Sequence, residues 1–380
     1  MIGVLIAGGG TGGHLFPGIA LAQELRRRSE TVRILFVGTA RGIETRAVPA
    51  AGFELALLPV SGLRRTGVIG MVIGLLRLPF AIVKALALVR RFKPSVAVSV
   101  GGYAAGPAVL ASRLLGIPCV VMEQNAVPGF TNRVLARLAR RVLTGLPTRG
   151  LPEGKVRVVG NPVRQDLLAV RAASYSPATP PRLLVFGGSQ GARAINEAMM
   201  AAAVDLSALE LSIVHQTGEA DHDRVRDAYN AAGLDAEVHS FIDDMAAAYR
   251  DADLVLCRSG AMTIAELTVC GRPSILVPYP FAVDDHQSAN AATLAEAGAA
   301  IHLPQTDLSP ERLVALVREL AFDRERLERM ATESRRHGKP DAAKDIADVL
   351  EAEARLGGWR NGEDDGSKRC GDGQDEVTHV

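Results

Sequence analysis

The sequence predicts an α/β protein of two doubly wound domains facing a cleft, and three observations carry the prediction. Short β-branched runs alternate with longer helical patterns along the chain, as in a parallel sheet with crossover helices. The 380 residues exceed what a single hydrophobic core holds comfortably. The two halves also share a grammar. "LIAGGGTGGH" and "LVFGGSQGAR" each run a strand into a glycine loop and a helix, and "VSVGGYAAG" and "VLCRSGAMT" each end a strand in a small-residue turn. "GIPCVVMEQN" and "GRPSILVPYP" each pass through Gly-x-Pro into a buried strand. In such a pair the ligand crevice lies at the carboxyl ends of both sheets.

Taken in order, the strands of the first half are "GVLIA", "TVRILFV", "FELALLPV", "SVAVSV", "PCVVME" and "RRVLT". Those of the second are "PRLLVF", "LSIVHQ", "AEVHS", "DLVLC", "PSILVP" and "AAIHL". The apolar start carries no basic leader and enters a glycine loop directly, so it reads as a first strand and not a signal peptide. The boundary falls at "VVGNPVRQD" (158–166), where a strand ends and Pro162 breaks the chain. The domains are therefore 1–161 and 162–356, with "YSPATPP" (175–181) as a proline-rich connector. From Gly357 the composition turns to Gly, Asp, Glu and Lys, which predicts a disordered tail over 357–380. Four widely spaced cysteines, none in a Cys-x-x-Cys pair, argue against a zinc site or a disulfide scaffold and suit a reducing compartment.

The net charge of +1 hides an asymmetry. Residues 1–161 carry 21 Lys and Arg against 6 Glu and no Asp, whereas the remainder carries 22 basic and 36 acidic residues. A basic half suggests nucleic acid or an anionic membrane surface. Residues 68–92 are the most hydrophobic stretch, interrupted by Arg77, Pro79 and Lys84 well before the length a spanning helix needs. Flanked by Arg64, Arg65, Arg90 and Arg91, it reads as helix lying on a bilayer, with a packed core helix as the alternative. Together with the basic half, it favours the membrane reading over the packed helix.

Gly8-x-Gly10-x-x-Gly13 matches the dinucleotide fingerprint in the right strand–helix context. An NAD site also wants an acid near the end of the second strand, and "LFVGTARG" offers none before Glu44. No Gly-Lys-Ser/Thr follows, so a P-loop is excluded. What survives is a backbone that approaches a ligand closely, with His14 at the start of a helix. Gly187-Gly188-Ser189-Gln190-Gly191 offers amides and a hydroxyl at another helix N-terminus, a natural anion site. "RSGAMTIAE" (258–266) repeats the device and carries Glu266, either a solvated helical glutamate or an acceptor for ribose hydroxyls. The Asp-x-Asp pairs Asp221/Asp223 and Asp251/Asp253 read as surface residues and make no case for a metal site. Glu123 alone sits at a strand's carboxyl end in a half without Asp, so two-carboxylate hydrolysis is disfavoured.

Several stretches together resemble one family: "GGTGGHLFPGIALA", "SGLR", "GGYAAGP", "EQNAVPGFTN", "VVGNPVR", "GGSQGARAIN", "FIDDMAAAY", "CRSGAMTIAE" and "DDHQSANA". The ordered set, spanning residues 1 to about 350, resembles the membrane-associated N-acetylglucosaminyltransferases of bacterial peptidoglycan synthesis, the MurG family. The resemblance implies two Rossmann-like domains in the glycosyltransferase B fold. It implies inverting transfer of GlcNAc from UDP-GlcNAc to the 4-hydroxyl of MurNAc in undecaprenyl-pyrophosphoryl-MurNAc-pentapeptide, with no cofactor and no intrinsic metal. By the family's pattern the donor contacts Thr11, Gly12, Gly13, Asn125, Arg164, Ser189, Ile242, Ala261, Met262, Thr263, Ile264, Ala265, Glu266 and Gln287. Within that set Ile242 would meet uracil through its backbone and Glu266 the ribose. Ser189 and Arg164 would serve the diphosphate, and Asn125 and Gln287 the sugar. The acceptor enters near His14, Tyr103 and Glu123, with His14 the first choice of general base and Glu123 the second. At position 286 this chain has histidine where some relatives carry glutamine.

The same resemblance implies a peripheral protein on the cytoplasmic face of the bacterial cell membrane, with an anionic membrane surface and the lipid-linked acceptor as partners and no nucleic acid. Proteins of cell-wall synthesis and division are candidate partners. A sugar-nucleotide epimerase or another sugar-nucleotide transferase of the same fold is the alternative. An NAD oxidoreductase and a non-catalytic membrane module fit the residues less well.

Overall fold

The computed structural model describes residues 2–60, 67–188 and 190–358. Ser189, Arg64, Arg65, the "SGLR" stretch, the side chain of Arg77 and the tail beyond residue 358 lie outside the described residues.

The first sheet contains β1 (Gly3–Gly8), β2 (Arg33–Gly38), β3 (Glu54–Leu57), β4 (Val96–Gly101), β5 (Cys119–Glu123), β6 (Arg141–Thr144) and β7 (Val156–Val158). Their order is β3-β2-β1-β4-β5-β6-β7, every pairing parallel. The second sheet contains β8 (Arg182–Phe186), β9 (Ser212–Gln216), β10 (Ala236–His239), β11 (Leu254–Cys257), β12 (Ser274–Leu276) and β13 (Ala300–His302). Their order, β10-β9-β8-β11-β12-β13, is also fully parallel. Both sheets reverse strand order beside their first strand, which opens a crevice at the carboxyl ends. The twelve anticipated runs all form strands. The thirteenth, β7, is a short edge strand with two exposed residues, too brief to show alternation.

Helices cover both faces of each sheet, so the strands are apolar on both sides. In β1, Val4 and Ile6 enter one core and Leu5 and Ala7 the other, the period of two of a pleated strand. The second sheet divides likewise: Leu183 and Val185 point to one side, Leu184 and Phe186 to the opposite.

Residues 67–92 form one continuous helix, Gly67–Phe92, with Pro79 inside it. Ala85, Val89 and Phe92 pack on the first sheet, while Phe80 and Val83 on the same helix are 56% and 63% exposed. No described helix is long and apolar enough to cross a membrane. Helix Ala105–Leu114 packs between this helix and Phe130–Leu138. On Phe130–Leu138 the residues Phe130, Val134 and Leu138 are all exposed, and their spacing of four places them along one face.

The last helix, Ala342–Gly358, falls almost wholly within the stretch assigned to the second domain but packs on the first. Ile346, Ala347 and Leu350 are buried with Val4, Ile6 and Leu21. Buried Glu353 lies 3.3 Å from Arg140 and 3.1 Å from Arg141. Arg28 bonds Asp348, Glu351 and the carbonyl of Lys344. Asp253, expected at the surface, is buried. Its carboxylate accepts from the amides of Ala178 and Arg182 and anchors the proline-rich connector to the start of β8.

Candidate functional site

On the first domain the loops after β1 and β4 lie backbone to backbone. The Gly9 amide donates to the Gly101 carbonyl at 3.2 Å. A Cβ on Gly102, at φ +87°, would fall 2.4 Å from the Gly9 oxygen, so only glycine allows this approach. Glu44 holds the first loop from within. Its buried carboxylate accepts from the Gly10 amide at 2.8 Å and from the Thr39 amide and hydroxyl at 2.8 and 2.9 Å. Burial opposes its ionisation, but those bonds outweigh burial and hold its pKa below the usual carboxylate value. An internal carboxylate thus occupies amides that a nucleotide phosphate would take in a dinucleotide-binding loop.

Helix Gly12–Arg28 starts here, and a Cβ on Gly13 would meet only open space. Half-buried His14 has Nδ1 3.0 Å from the Thr11 hydroxyl, and its ring lies against Gly101, where a Cβ would stand 2.7 Å from Cδ2. Burial lowers its pKa. Nearby Glu123 acts against that shift, and His286, from the second domain, adds to it. Tyr103 projects beside this turn with its side chain exposed.

Glu123, at the end of β5, is buried and engaged through both oxygens. Oε1 accepts from the Asn125 amide and side chain at 3.0 and 3.3 Å, and Oε2 from the Gly129 amide and Asn132 Nδ2, both at 3.0 Å. Asn132 also accepts from Ser99, whose hydroxyl receives the Gly101 amide. The carboxylate therefore organises residues 123–132 and ties them to the His14 turn.

This network continues across the crevice. Asn290 is fully buried. Its Oδ1 accepts from the Ala126 amide at 2.9 Å, and its Nδ2 donates to Asn125 Oδ1 at 3.2 Å and to the Ser259 carbonyl at 3.1 Å. Asn161 forms a second bridge, donating to the carbonyls of Gln124 and Ala261.

On the second domain, helix Ala261–Cys270 begins at Gly260 and directs its first amides to the crevice. Ala261 and Ile264 are buried in the domain core, so they can offer a ligand only backbone. Met262, Thr263, Ala265 and Glu266 are half-buried. Glu266 Oε2 accepts from the Tyr249 hydroxyl at 3.1 Å. Burial pushes its pKa up to about 7, against the opposing pull of that bond and of Arg164. Arg164 caps helix Gln165–Ala172 with a half-exposed side chain 3.7 Å from Asp166. Gln287 accepts the Tyr279 amide at 2.9 Å, and its carbonyl accepts from the Ser259 hydroxyl. Ile242 is partly buried and packs against the core of the second domain.

Two family models divide the chain between them: the glycosyltransferase family 28 N-terminal domain matches residues 4–144 and the corresponding C-terminal domain residues 182–346. A relative from Myxococcus xanthus, named UDP-N-acetylglucosamine--N-acetylmuramyl-(pentapeptide) pyrophosphoryl-undecaprenol N-acetylglucosamine transferase, is 49% identical over 353 residues, 92% of either chain. The chain belongs to the MurG family. A like-named MurG relative from Syntrophus aciditrophicus is 45% identical over 93% of this chain and 99% of its own. The crystal structure of Acinetobacter baumannii MurG superposes with a TM-score of 0.77 at 34% identity, covering 93% of this chain and all of that one. The UDP-GlcNAc 2-epimerase from Neisseria meningitidis, at 14% identity and a TM-score of 0.63, shares the fold. The two facing parallel sheets are thus those of the glycosyltransferase B fold.

The structure brings together Thr11, Gly12, Gly13, His14, Glu123 and Asn125 on one wall, and Arg164, Ala261–Glu266 and Gln287 on the other. Sequence reasoning missed Asn290, Asn132, Tyr249 and Glu44. Asn290 lies inside the "DDHQSANA" motif, three residues past Gln287, and that spacing was the available signal. Among the described residues, no three His, Cys, Asp or Glu gather as metal ligands would.

Proposed function

We propose that the chain transfers N-acetylglucosamine from UDP-N-acetylglucosamine to the 4-hydroxyl of the N-acetylmuramyl unit on a pyrophosphoryl-undecaprenol pentapeptide, inverting the anomeric carbon. The observation that carries the reading is the bridged crevice. An imidazole on one domain opposes a helix N-terminus and a half-buried carboxylate on the other, with Asn125, Asn290 and Ser259 joining the walls.

In this reading Glu266 accepts from the ribose hydroxyls, and Gln287 and Asn125 position the sugar. The amides opening helix Ala261–Cys270, with Arg164 and Ser189, receive the diphosphate. The acceptor oxygen attacks the anomeric carbon while its proton passes to His14. The bond from that carbon to the phosphate oxygen breaks, and its electron pair leaves with UDP. The helix N-terminus and the Arg164 guanidinium stabilise that developing charge. His14 is the better base because both oxygens of Glu123 already hold two donors each. In the tautomer whose Nδ1–H donates to the Thr11 hydroxyl, Nε2 is the basic nitrogen.

The lipid-linked acceptor calls for a membrane-facing surface. Phe80, Val83, Leu114 and Phe130 are exposed on three helices covering one face of the first sheet, with Lys84, Arg113, Arg133 and Arg137 on the same helices. Such apolar positions would enter the interface while the basic ones meet anionic headgroups, which supports a peripheral protein; the cytoplasmic face is part of the same proposal. The test is release of UDP, which requires donor and lipid acceptor together. Turnover of UDP-N-acetylglucosamine without acceptor would give the site to an epimerase.

A further inference from the structure

His286 opens helix His286–Glu296 and has no part in the reaction as described so far. Three features fix its placement. The two residues before it, Asp284 and Asp285, both have positive φ, 54° and 49°, values that cost non-glycine residues free energy. Its Nδ1 lies 2.7 Å from the Val283 carbonyl, so that nitrogen carries the proton of the neutral ring and donates it, and Nε2 is the nitrogen presented away from the loop. One turn further along, Asn290 is bonded to Ala126 and Asn125 of the first domain. Residues four apart share a helix face, so His286 is turned to the same wall, where His14 stands.

We infer that His286 is a positioning residue that faces His14 across the crevice and governs how readily His14 takes up a proton. A positive charge at position 286 opposes a positive charge on the His14 ring. Burial is the largest influence on His14; Glu123 favours its protonation and His286 opposes it. Asp284 and Asp285 flank His286 on its own loop, with Asp285 accepting from Ser288; the Arg258 guanidinium is engaged by the Val277 and Pro278 carbonyls. Because His286 and His14 belong to different domains, their coupling depends on the bridge at Asn290. An open cleft uncouples them, and a closed one holds His14 neutral and ready to accept the hydroxyl proton. For this consequence the inference rests on the transfer reading above.

The experiment compares the wild-type protein with His286→Gln, whose amide can still donate to the Val283 carbonyl, and His286→Lys, which makes the charge permanent. The titration midpoint of His14 is read from its ring resonances by NMR in carbon-13 histidine-labelled protein, assigned with His14→Gln. The pH profile of kcat/KM is read separately. The expected order of His14 midpoints is glutamine variant highest, wild type between, lysine variant lowest, with the acid limb of kcat/KM moving in the same order. An unchanged midpoint in both variants overturns the inference. Midpoints that move while the acid limb stays fixed uphold the pair and remove His14 as the base.

Discussion

Replacing Glu123 with glutamine separates two roles that one carboxylate could play. The side chain is buried and accepts four hydrogen bonds, two on each oxygen. A glutamine keeps the shape but has one oxygen and one amino group. Whichever way it turns, two donors face another donor: the Gly129 amide with Asn132 Nδ2, or the amide and side chain of Asn125. Each buried donor left unpaired costs about 1–3 kcal/mol, so Glu123→Gln should destabilise the first domain by about 2–6 kcal/mol. At about 2–4 °C per kcal/mol for a domain of this size, its transition should fall by roughly 5–20 °C in a calorimetric scan. The lost negative charge also favoured protonation of His14, so the acid limb of kcat/KM should move to lower pH. A variant with unaltered thermal stability and turnover reduced a hundredfold or more would refute this reasoning and make Glu123 the base.

Four further outcomes follow from the same geometry. His14→Ala should lower kcat by about 10²–10⁴-fold, the usual contribution of a positioned base, with UDP affinity by titration calorimetry nearly unchanged. Glu266 holds its proton up to about 7 when folded, well above the ordinary glutamate range. Its contribution to stability is therefore fully present at acid pH and lost as pH rises through that value, whereas acceptance of ribose hydroxyls needs the ionised form. UDP binding should weaken by up to about tenfold between about pH 8 and pH 6, and Glu266→Gln should flatten that slope. Reversing Lys84, Arg133 and Arg137 together to glutamate should abolish sedimentation with anionic vesicles, since each basic residue contributes about 1 kcal/mol near such a surface. Truncation before Ala342 removes Ile346, Ala347 and Leu350 and uncovers Val4, Ile6 and Leu21 beneath them; at about 1.5–3 kcal/mol for each large apolar side chain, the first domain should become open to limited proteolysis.

The strands and glycine loops were legible because their signals are local. Apolar runs such as "SVAVSV" and "PSILVP" permit little besides a buried strand, and strand–glycine–helix transitions mark where a crevice must open. The residues the site depends on most were less legible where their role comes from tertiary contact. Asn290 reads as one polar residue in a helical motif until the fold sets it against Ala126 and Ser259. Glu44 counted against a dinucleotide site by its position, yet nothing in the sequence says that it folds back to Gly10. Asp253 looks like a surface aspartate in a charged pair, and only the packing of the connector buries it. The amphipathic pattern of residues 342–358 announces a helix with one apolar stripe but does not name the sheet that receives it.

That helix has a mechanical consequence. The polypeptide passes between the lobes twice, once near Asn161 and again near Gly338–Ala342, and its far end is fastened by Arg28 and Glu353. The two crossings lie side by side, since a Cβ on Gly160 would fall 2.3 Å from the Lys339 Cβ, and together they make one double-stranded hinge where a single strand would swivel freely. Any opening of the cleft would turn on that one place, and the separation of the two imidazoles would follow it.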